Sequence, residues 1–554
     1  MLRSFKVVAL VMGVVVVAGA CSKSGSPSAS GKSGGHLIIG TNSNIDTLNP
    51  FVTFQQNSYA AFEYIYPQLV QYNSKTLEFL PDFAQSWDTS SDGKVWTFHT
   101  VPNAKWSDGQ PLTADDADWT FNTVLKYGAT TAGNLVGSLA NVKKVEATDA
   151  NTLVITYSAA AANVLAELQG LSILPPQVWQ QYATGDGKGL RTFSNEPQNG
   201  QPLVSGGPFE VAEYKKDQVT IFKTNPNFYG PKPSIDGFGL QYFSNADAMI
   251  TALRSGQIQA TINVPPTAVS TIKGQSNLFM YDGTGLQFRD FIINSSPKKT
   301  ANLELLDPRV RTAMEYAIDR NAIVQTAWLG YAKPGSTILP PGSGEWFDSQ
   351  IQALPFDVAK ANSILDAAGY TKGSNGIRIA NGHPMSYTVL FAADEAGPGD
   401  AAFQIIANGF LQIGIKVIQR KMDNDAVNTA IIGDNSTYNK FDLAMWDWYP
   451  CCPIPDFILS VIQCSEWGNW SDTGYCNPKY DKLYQAQGLA RDQTKRLKIV
   501  YAMEQIAYND RPYIVLSYDD QLNAWSTSWA GFVESSLGLF NNLSKESLTQ
   551  VHQA

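Results

Sequence analysis

The chain has 554 residues, 44% of them hydrophobic, which is too long for one ordinary core, so two or more domains are expected. Its formal net charge is −9 and its sequence pI about 5.1, which argues against nucleic-acid binding, since that needs a basic surface. Its four His, at 36, 99, 383 and 552, have no metal-ligand spacing, so no metal or other cofactor is expected.

The N-terminus reads as an export signal. Arg3 and Lys6 form a charged start, and residues 7–17 are an apolar run too short to span a bilayer. Ala18-Gly19-Ala20-Cys21 follows and resembles a bacterial lipobox, in which the Cys becomes the lipidated first residue of the mature chain. Residues 1–20 are therefore expected to be a signal peptide and 21–35 a lipidated Ser/Gly/Lys tether with a reach of roughly 20 Å. The expected location is extracytoplasmic, anchored to the cell membrane through Cys21.

Residues 37–40 read as the first strand. The stretch Gln85-Ser-Trp-Asp-Thr-Ser-Ser-Asp-Gly-Lys-Val-Trp-Thr-Phe-His-Thr100 reads as a hairpin, with a tight turn at Ser91-Asp92-Gly93-Lys94 and apolar alternation at Trp96 and Phe98. Lys105-Trp-Ser-Asp-Gly-Gln-Pro-Leu-Thr-Ala-Asp-Asp116 gives a second turn and then a capping box opened by Thr113. Ala117, Phe121, Val124 and Leu125 continue at helical spacing. The module is a scaffold; none of its residues is an obvious catalyst.

The Trp, Ser-Asp-Gly, Trp-Thr-Phe and Lys-Trp-Ser-Asp-Gly-x-Pro-Leu-Thr-Ala-Asp-Asp pattern resembles the signature of extracellular solute-binding proteins of peptide-type ABC importers. That family includes dipeptide- and oligopeptide-binding proteins and binders of nickel and oligosaccharides. Similarity to it spans residues 37–540. It includes Ile45-Asp-Thr-Leu-Asn-Pro50, Asn225-Pro-Asn-Phe-Tyr229, and Asp307-Pro-Arg-Val-Arg-Thr-Ala-Met-Glu-Tyr-Ala-Ile-Asp-Arg320.

Further along the chain, residues 142–157 read as a hairpin and 159–168 as a helix. Residues 184–201 read as a surface loop in which Gly185-x-Gly-x-Gly189 is no phosphate loop, because no helix start follows it. Residues 288–294 and 512–516 read as two strands crossing between lobes. Val310, Met314, Ala317 and Ile318 form an apolar helix face, and Arg309, Arg311 and Arg320 are expected in solvent, paired with Glu315 or Asp319. Asp357 is expected to cap a helix ended by Gly369; further helices are read at 401–413 and 495–508, with a strand at 442–448.

The resemblance implies an α/β, two-lobed periplasmic-binding-protein-like fold of type II, large peptide-binder subclass, with two hinge crossings. Lobe I is placed at 36–286 and 520–554, and lobe II at 287–519. The implied function is that of an importer's substrate-binding lipoprotein, capturing a ligand between closing lobes and delivering it to an ABC permease and ATPase. No G-x-S-x-G, H-E-x-x-H or complete dinucleotide fingerprint is present, so an enzyme is not expected. A ligand sensor without transport is the rival reading of the same fold.

The resemblance also bears on the site. Similarity to dipeptide-binding relatives implies a Cys464–Cys476 disulfide. Cys451 and Cys452 then form a vicinal pair or each pair elsewhere. In peptide-binding relatives the loop matched by Trp446-Asp-Trp-Tyr-Pro-Cys-Cys-Pro-Ile-Pro-Asp456 places an Asp against the peptide's ammonium; here Cys451 stands at that position. Around Asp394, acids stand where dipeptide binders use an Arg. A buried charged terminus without its partner is costly. The expected ligand is therefore an oligo- or modified peptide, or another polar solute such as an oligosaccharide, rather than a free dipeptide. Trp446, Trp448 and Tyr449 are the expected stacking groups, alternation letting only some of them face the cleft, and Asp447 is the expected replacement acid.

Overall fold

The computed structural model describes residues 34–53, 55–128, 131–139, 141–393, 397–449, 454–535 and 544–554. Its spine is one mixed 11-stranded sheet. From one edge the strands run Lys416–Met422, Ser386–Ala392, Leu443–Trp448, Leu278–Ile293, Tyr513–Ser526, Ala260–Thr261, His36–Thr41, Gly237–Tyr242, Val219–Thr224 and Phe209–Lys215. Ala332–Pro334 pairs with residues 517–519, in the middle of Tyr513–Ser526.

The two central strands, Leu278–Ile293 and Tyr513–Ser526, are the longest and pair antiparallel along their length. They carry the chain from one lobe to the other. On the first, Leu278 belongs to one apolar cluster with Met249, Ile258, Leu522 and Ala524, while Phe288 and Ile292 belong to another with Tyr513, Val515 and Tyr518. The core thus changes lobe between Leu278 and Phe288 on one strand and between Tyr518 and Leu522 on the other. The architecture is α/β and two-lobed with two crossings.

The hairpin and helix read around residues 85–125 form as the residues dictate. Ala84–Thr89, Val95–Thr100, Thr152–Tyr157 and Val142–Asp149 make a second, antiparallel sheet in the first lobe. Gly93 turns the hairpin at φ 71°, a left-handed conformation that glycine adopts without a steric penalty. The helix Ala114–Tyr127 starts where the Asp116 carboxylate accepts the Thr113 N–H at 2.7 Å, and it buries Ala117, Phe121 and Val124.

Several expectations are corrected. The first crossing strand starts at Leu278, ten residues earlier than its apolar stretch suggests, and the second runs on to Ser526. The helix expected at 159–168 is Val164–Gln169, and the expected loop at 184–201 contains a short helix, Lys188–Thr192. Only Arg309 of the three arginines is exposed, in an ion pair with Asp307. Arg311 is buried because its guanidinium donates to four carbonyls left over at element ends, those of Leu305, Asn294, Asp510 and Arg511. Burial lowers its pKa to about 10. Arg320 is buried too; it pairs with Glu315, as expected, and donates to the Val515 carbonyl.

Candidate functional site

The crossing strands do not run as a regular ladder. Thr284 pairs with Asp520 and Phe288 with Tyr518, so Gly285, Leu286 and Gln287 face a single residue, Asp519. Such a bulge bends a strand and ends regular pairing. It needs small residues: a Cβ on Gly285 would lie 2.6 Å from the Asp519 carbonyl oxygen, and one on Gly342 would lie 2.3 Å from that of Gly285. The chain between the lobes is therefore kinked and closely buttressed at one point.

Beside this bulge, the strand Leu443–Trp448 pairs with the first crossing strand, Trp448 opposite Phe288, Asp447 opposite Arg289 and Trp446 opposite Asp290. Strand alternation puts Trp446 and Trp448 on one face with Phe288 and Ile292, and Asp447 on the other. Asp447 accepts a hydrogen bond from Gln287 Nε2. On that reverse face Arg289 Nε donates to Asp519 Oδ2 at 2.8 Å, with its guanidinium 4.6 Å from the Trp328 ring.

Trp446, Trp448 and Tyr449 are each half-buried. Trp448 Nε1 donates to Asp472 Oδ2 at 3.1 Å, and Tyr513 OH donates to the other oxygen of that carboxylate. Burial pushes the Asp472 carboxyl up to about 7. The Trp448 ring meets Phe457 edge-on at 5.9 Å, and Phe457 meets Trp470 at 5.2 Å. Trp470 is 41% exposed, so an aromatic row leads from the site strand to solvent. Trp470 and Asp472 lie inside the loop closed by a Cys464–Cys476 disulfide, with Cα atoms 4.4 Å apart.

The lobes meet over this same face. The Ala162 N–H donates to the Gly488 carbonyl at 2.7 Å, and Arg491 Nη1 donates to the Ser91 carbonyl at 3.1 Å. Gly488 lies in the last turn of the helix Pro478–Leu489 and Arg491 between it and the helix Gln493–Asp510, and both helices pack on the cluster that also takes Trp446 and Trp448. Trp446 and Trp448 thus pack partly under these helices, and Asp447 lies on the opposite face of the sheet. Separately, a cavity of about 360 Å³ borders Arg320, Lys333, Phe347, Gln352 and Tyr518 in the second lobe.

The structure thus brings Trp446, Trp448 and Tyr449 to the sheet end nearest the crossing. The strand Ser386–Ala392 runs parallel to the site strand, Phe391 pairing with Met445, and ends level with Trp446. Asp394, Cys451 and Cys452 lie outside the described residues, as do Cys21 and the rest of the N-terminal segment. Phe457, Trp470 and Asp472 were missed by sequence reasoning; the signal for the last two was their bracketing by Cys464 and Cys476, while Phe457 carried none. Among the described residues no His/Cys/Asp/Glu group has metal-site geometry, and no helix is long and apolar enough to cross a membrane.

Residues 78–470 match the family model described as bacterial extracellular solute-binding proteins, family 5 middle. A Brucella ovis protein named as an ABC transporter peptide-binding protein is 28% identical over 439 residues, 78% of this chain and 77% of its own. The structure is similar to that of Helicobacter pylori DppA, an ABC transporter-associated periplasmic binding protein in complex with the peptide STSA. The TM-score is 0.78 at 22% identity, over 94% of this chain and 98% of that one. It is also similar to that of Bacillus subtilis AppA, an oligopeptide-binding protein in complex with a nonapeptide. Here the TM-score is 0.78 at 20% identity, over 95% and 100% of the two chains.

Proposed function

The chain belongs to the bacterial extracellular solute-binding proteins, family 5, and from that premise we propose that it is the substrate-binding lipoprotein of an ABC importer for oligo- or modified peptides. The rigid bodies are residues 36–286 with 520–554, and residues 287–519. They close about the bulge at Gly285–Gln287, and the closed protein delivers its ligand to a permease and ATPase. The observation that carries this reading is the pair of crossing strands, kinked at Gly285–Gln287, with the half-buried Trp446 and Trp448 on the strand beside them. The names of the Brucella and Bacillus proteins support a peptide ligand.

Trp446, Trp448 and Tyr449 offer ring faces to the ligand, joined by Cys451 and Asp394. Aromatic faces bind by area and stacking and do not require a charged ligand terminus. Asp447, bonded to Gln287, shapes the hinge from the reverse face. An oligosaccharide is the second reading, favoured by the exposed Trp470 at the end of the aromatic row, since sugar rings also stack on indole. Mass spectrometry of the molecules that co-purify with the protein tests the assignment. Peptides of four or more residues are expected; recovery of sugars alone would favour the second reading.

Anchoring through Cys21 belongs to the same proposal. Cys21→Ala is expected to release the protein from membranes or leave it unprocessed. Normal membrane fractionation of that variant would remove the anchor from the account.

A further inference from the structure

We propose that the two lobes of this protein are latched at their rim, and that the latch makes closure proton-linked through Glu167. The inference rests on the reading that the protein works by closing its lobes. On the first lobe the latch consists of Ser91, Ala162 and the helix Val164–Gln169, which carries Glu167. On the second it consists of Gly488, Arg491 and a buried trio, Asp456, Gln487 and Arg496.

The rim contacts are direct lobe-to-lobe hydrogen bonds: Ala162 N–H to Gly488 O, and Arg491 Nη1 to Ser91 O. The turn at Gly93 fits the arginine closely, since a Cβ there would stand 3.1 Å from Arg491 Nη1. Behind these contacts the second lobe presents charges that are already matched. Arg496 Nη2 donates to Asp456 Oδ2 at 2.6 Å, Arg496 Nε donates to Gln487 Oε1 at 2.9 Å, and Gln487 Nε2 donates to Asp456 Oδ1 at 2.9 Å. All three residues are buried, and the Arg496 guanidinium also lies 4.9 Å from the Trp346 ring.

Closing the lobes brings a second carboxylate, Glu167, toward this neutral group. Arg496 is already committed, so the deprotonated glutamate gains no new cation and meets Asp456 as a like charge. The groups that face it are few. Asn163 Nδ2, at the start of its own helix, donates to Oε1 at 2.9 Å. Tyr157 on the strand Thr152–Tyr157 and Tyr484 on the helix Pro478–Leu489 are both held neutral, their hydroxyls pushed up by burial and by nearby carboxylates. Asp456 and Arg496 complete the set. Burial first, and Asp456 second, raise the Glu167 carboxyl from 4.5 to about 7, with Arg496 opposing.

The sign follows from linkage. With the lobes apart Glu167 is solvated and ionises in the ordinary range; with the lobes closed it holds its proton up to about pH 7. Closure is therefore most favourable below the ordinary value and is progressively weakened as pH rises to about 7. The closed-to-open ratio falls by at most roughly tenfold per pH unit across that window, less because the residue is only half-buried.

The test is made without ligand, so that its outcome is separate from whether the protein binds peptides. Spin labels on Lys188 and Lys440, exposed residues of the two lobes, report open and closed distance populations by double electron–electron resonance at pH 5.5 and 7.5. In the wild type the closed-to-open ratio is expected to be about fivefold or more higher at pH 5.5, within the linkage limit. Glu167→Gln, and Glu167→Ala as a second variant, are expected to give the same ratio at both pH values. Arg491→Ala is expected to lower the ratio at both while keeping the slope. A wild type without a slope, or a Glu167 variant that retains it, overturns the proton linkage; an Arg491→Ala protein with the wild-type ratio overturns the latch. Peptide titration of the same samples tests the functional reading independently.

Discussion

Replacing both Cys464 and Cys476 with Ser should lower stability and loosen the site together. The disulfide joins residues 12 apart in sequence. Closing a loop of that length removes chain entropy worth about 3 kcal/mol from the unfolded state. The effect should reach further than the loop, because Asp472 within it holds the Trp448 indole and the Tyr513 hydroxyl. Trp470, in the same loop, packs on Phe457. Urea unfolding followed by tryptophan fluorescence measures the stability loss, and near-ultraviolet circular dichroism reads the packing of the indoles. The expected result is a lower midpoint, with a slope equal or slightly steeper because the unfolded chain is less constrained, and a weaker aromatic dichroism in the native baseline. A double variant with the wild-type midpoint would refute the loop-closure reasoning. Normal stability loss with an unaltered aromatic spectrum would refute the link from loop to site strand.

Gly342→Ala should force the 341–346 turn away from Gly285, at a cost of about 1–3 kcal/mol, and shift the lobe distance distribution; an unchanged melting temperature and distribution would contradict the buttressed hinge. Trp448→Ala should weaken binding of a hexapeptide pool about tenfold, which is about 1.4 kcal/mol, in calorimetry, and equal affinity would move the site elsewhere. Asp472 has its carboxyl raised from 3.8 to about 7, so folding takes up a proton in that window and this contribution to stability is lost as pH rises through it. Asp472→Asn should flatten the stability profile between those values, and a wild-type profile in the variant would show that another group is responsible. Arg311→Met should destabilise by about 3–5 kcal/mol in urea unfolding, because several buried carbonyls lose their donor; a loss below about 1 kcal/mol would mean that water replaces it.

The parts of the fold that were legible in the sequence are those set by local chemistry. Gly93 and the Thr113–Asp116 cap are local devices, and the hairpin and helix they bound appear where the residues place them. The crossing strands were half hidden. Asp282, Gly283 and Gly285 stand outside the apolar stretch that marked the strand, yet the strand runs through them because its partner supplies hydrogen bonds and the glycines admit a close backbone approach. The polar run from Ser517 to Asn523 hid the second crossing in the same way. Arg311 was misread because a charged residue at helical spacing normally faces water; only the tertiary fold reveals the carbonyls that bury it. At the site, Trp446 and Trp448 were legible as aromatics on one strand. Their face was not, because it depends on which helices pack above the sheet. Trp470 was harder to place, because it joins the row through Phe457 only once the disulfide loop folds back.

Isothermal titration calorimetry of the purified protein against dipeptide, tetra- to hexapeptide and oligosaccharide pools tests the central claim most directly. The account predicts saturable binding of the tetra- to hexapeptides, with little dependence on capping either peptide terminus and little heat from dipeptides. Tight, terminus-dependent binding of simple dipeptides, or no binding of any peptide pool, would contradict it.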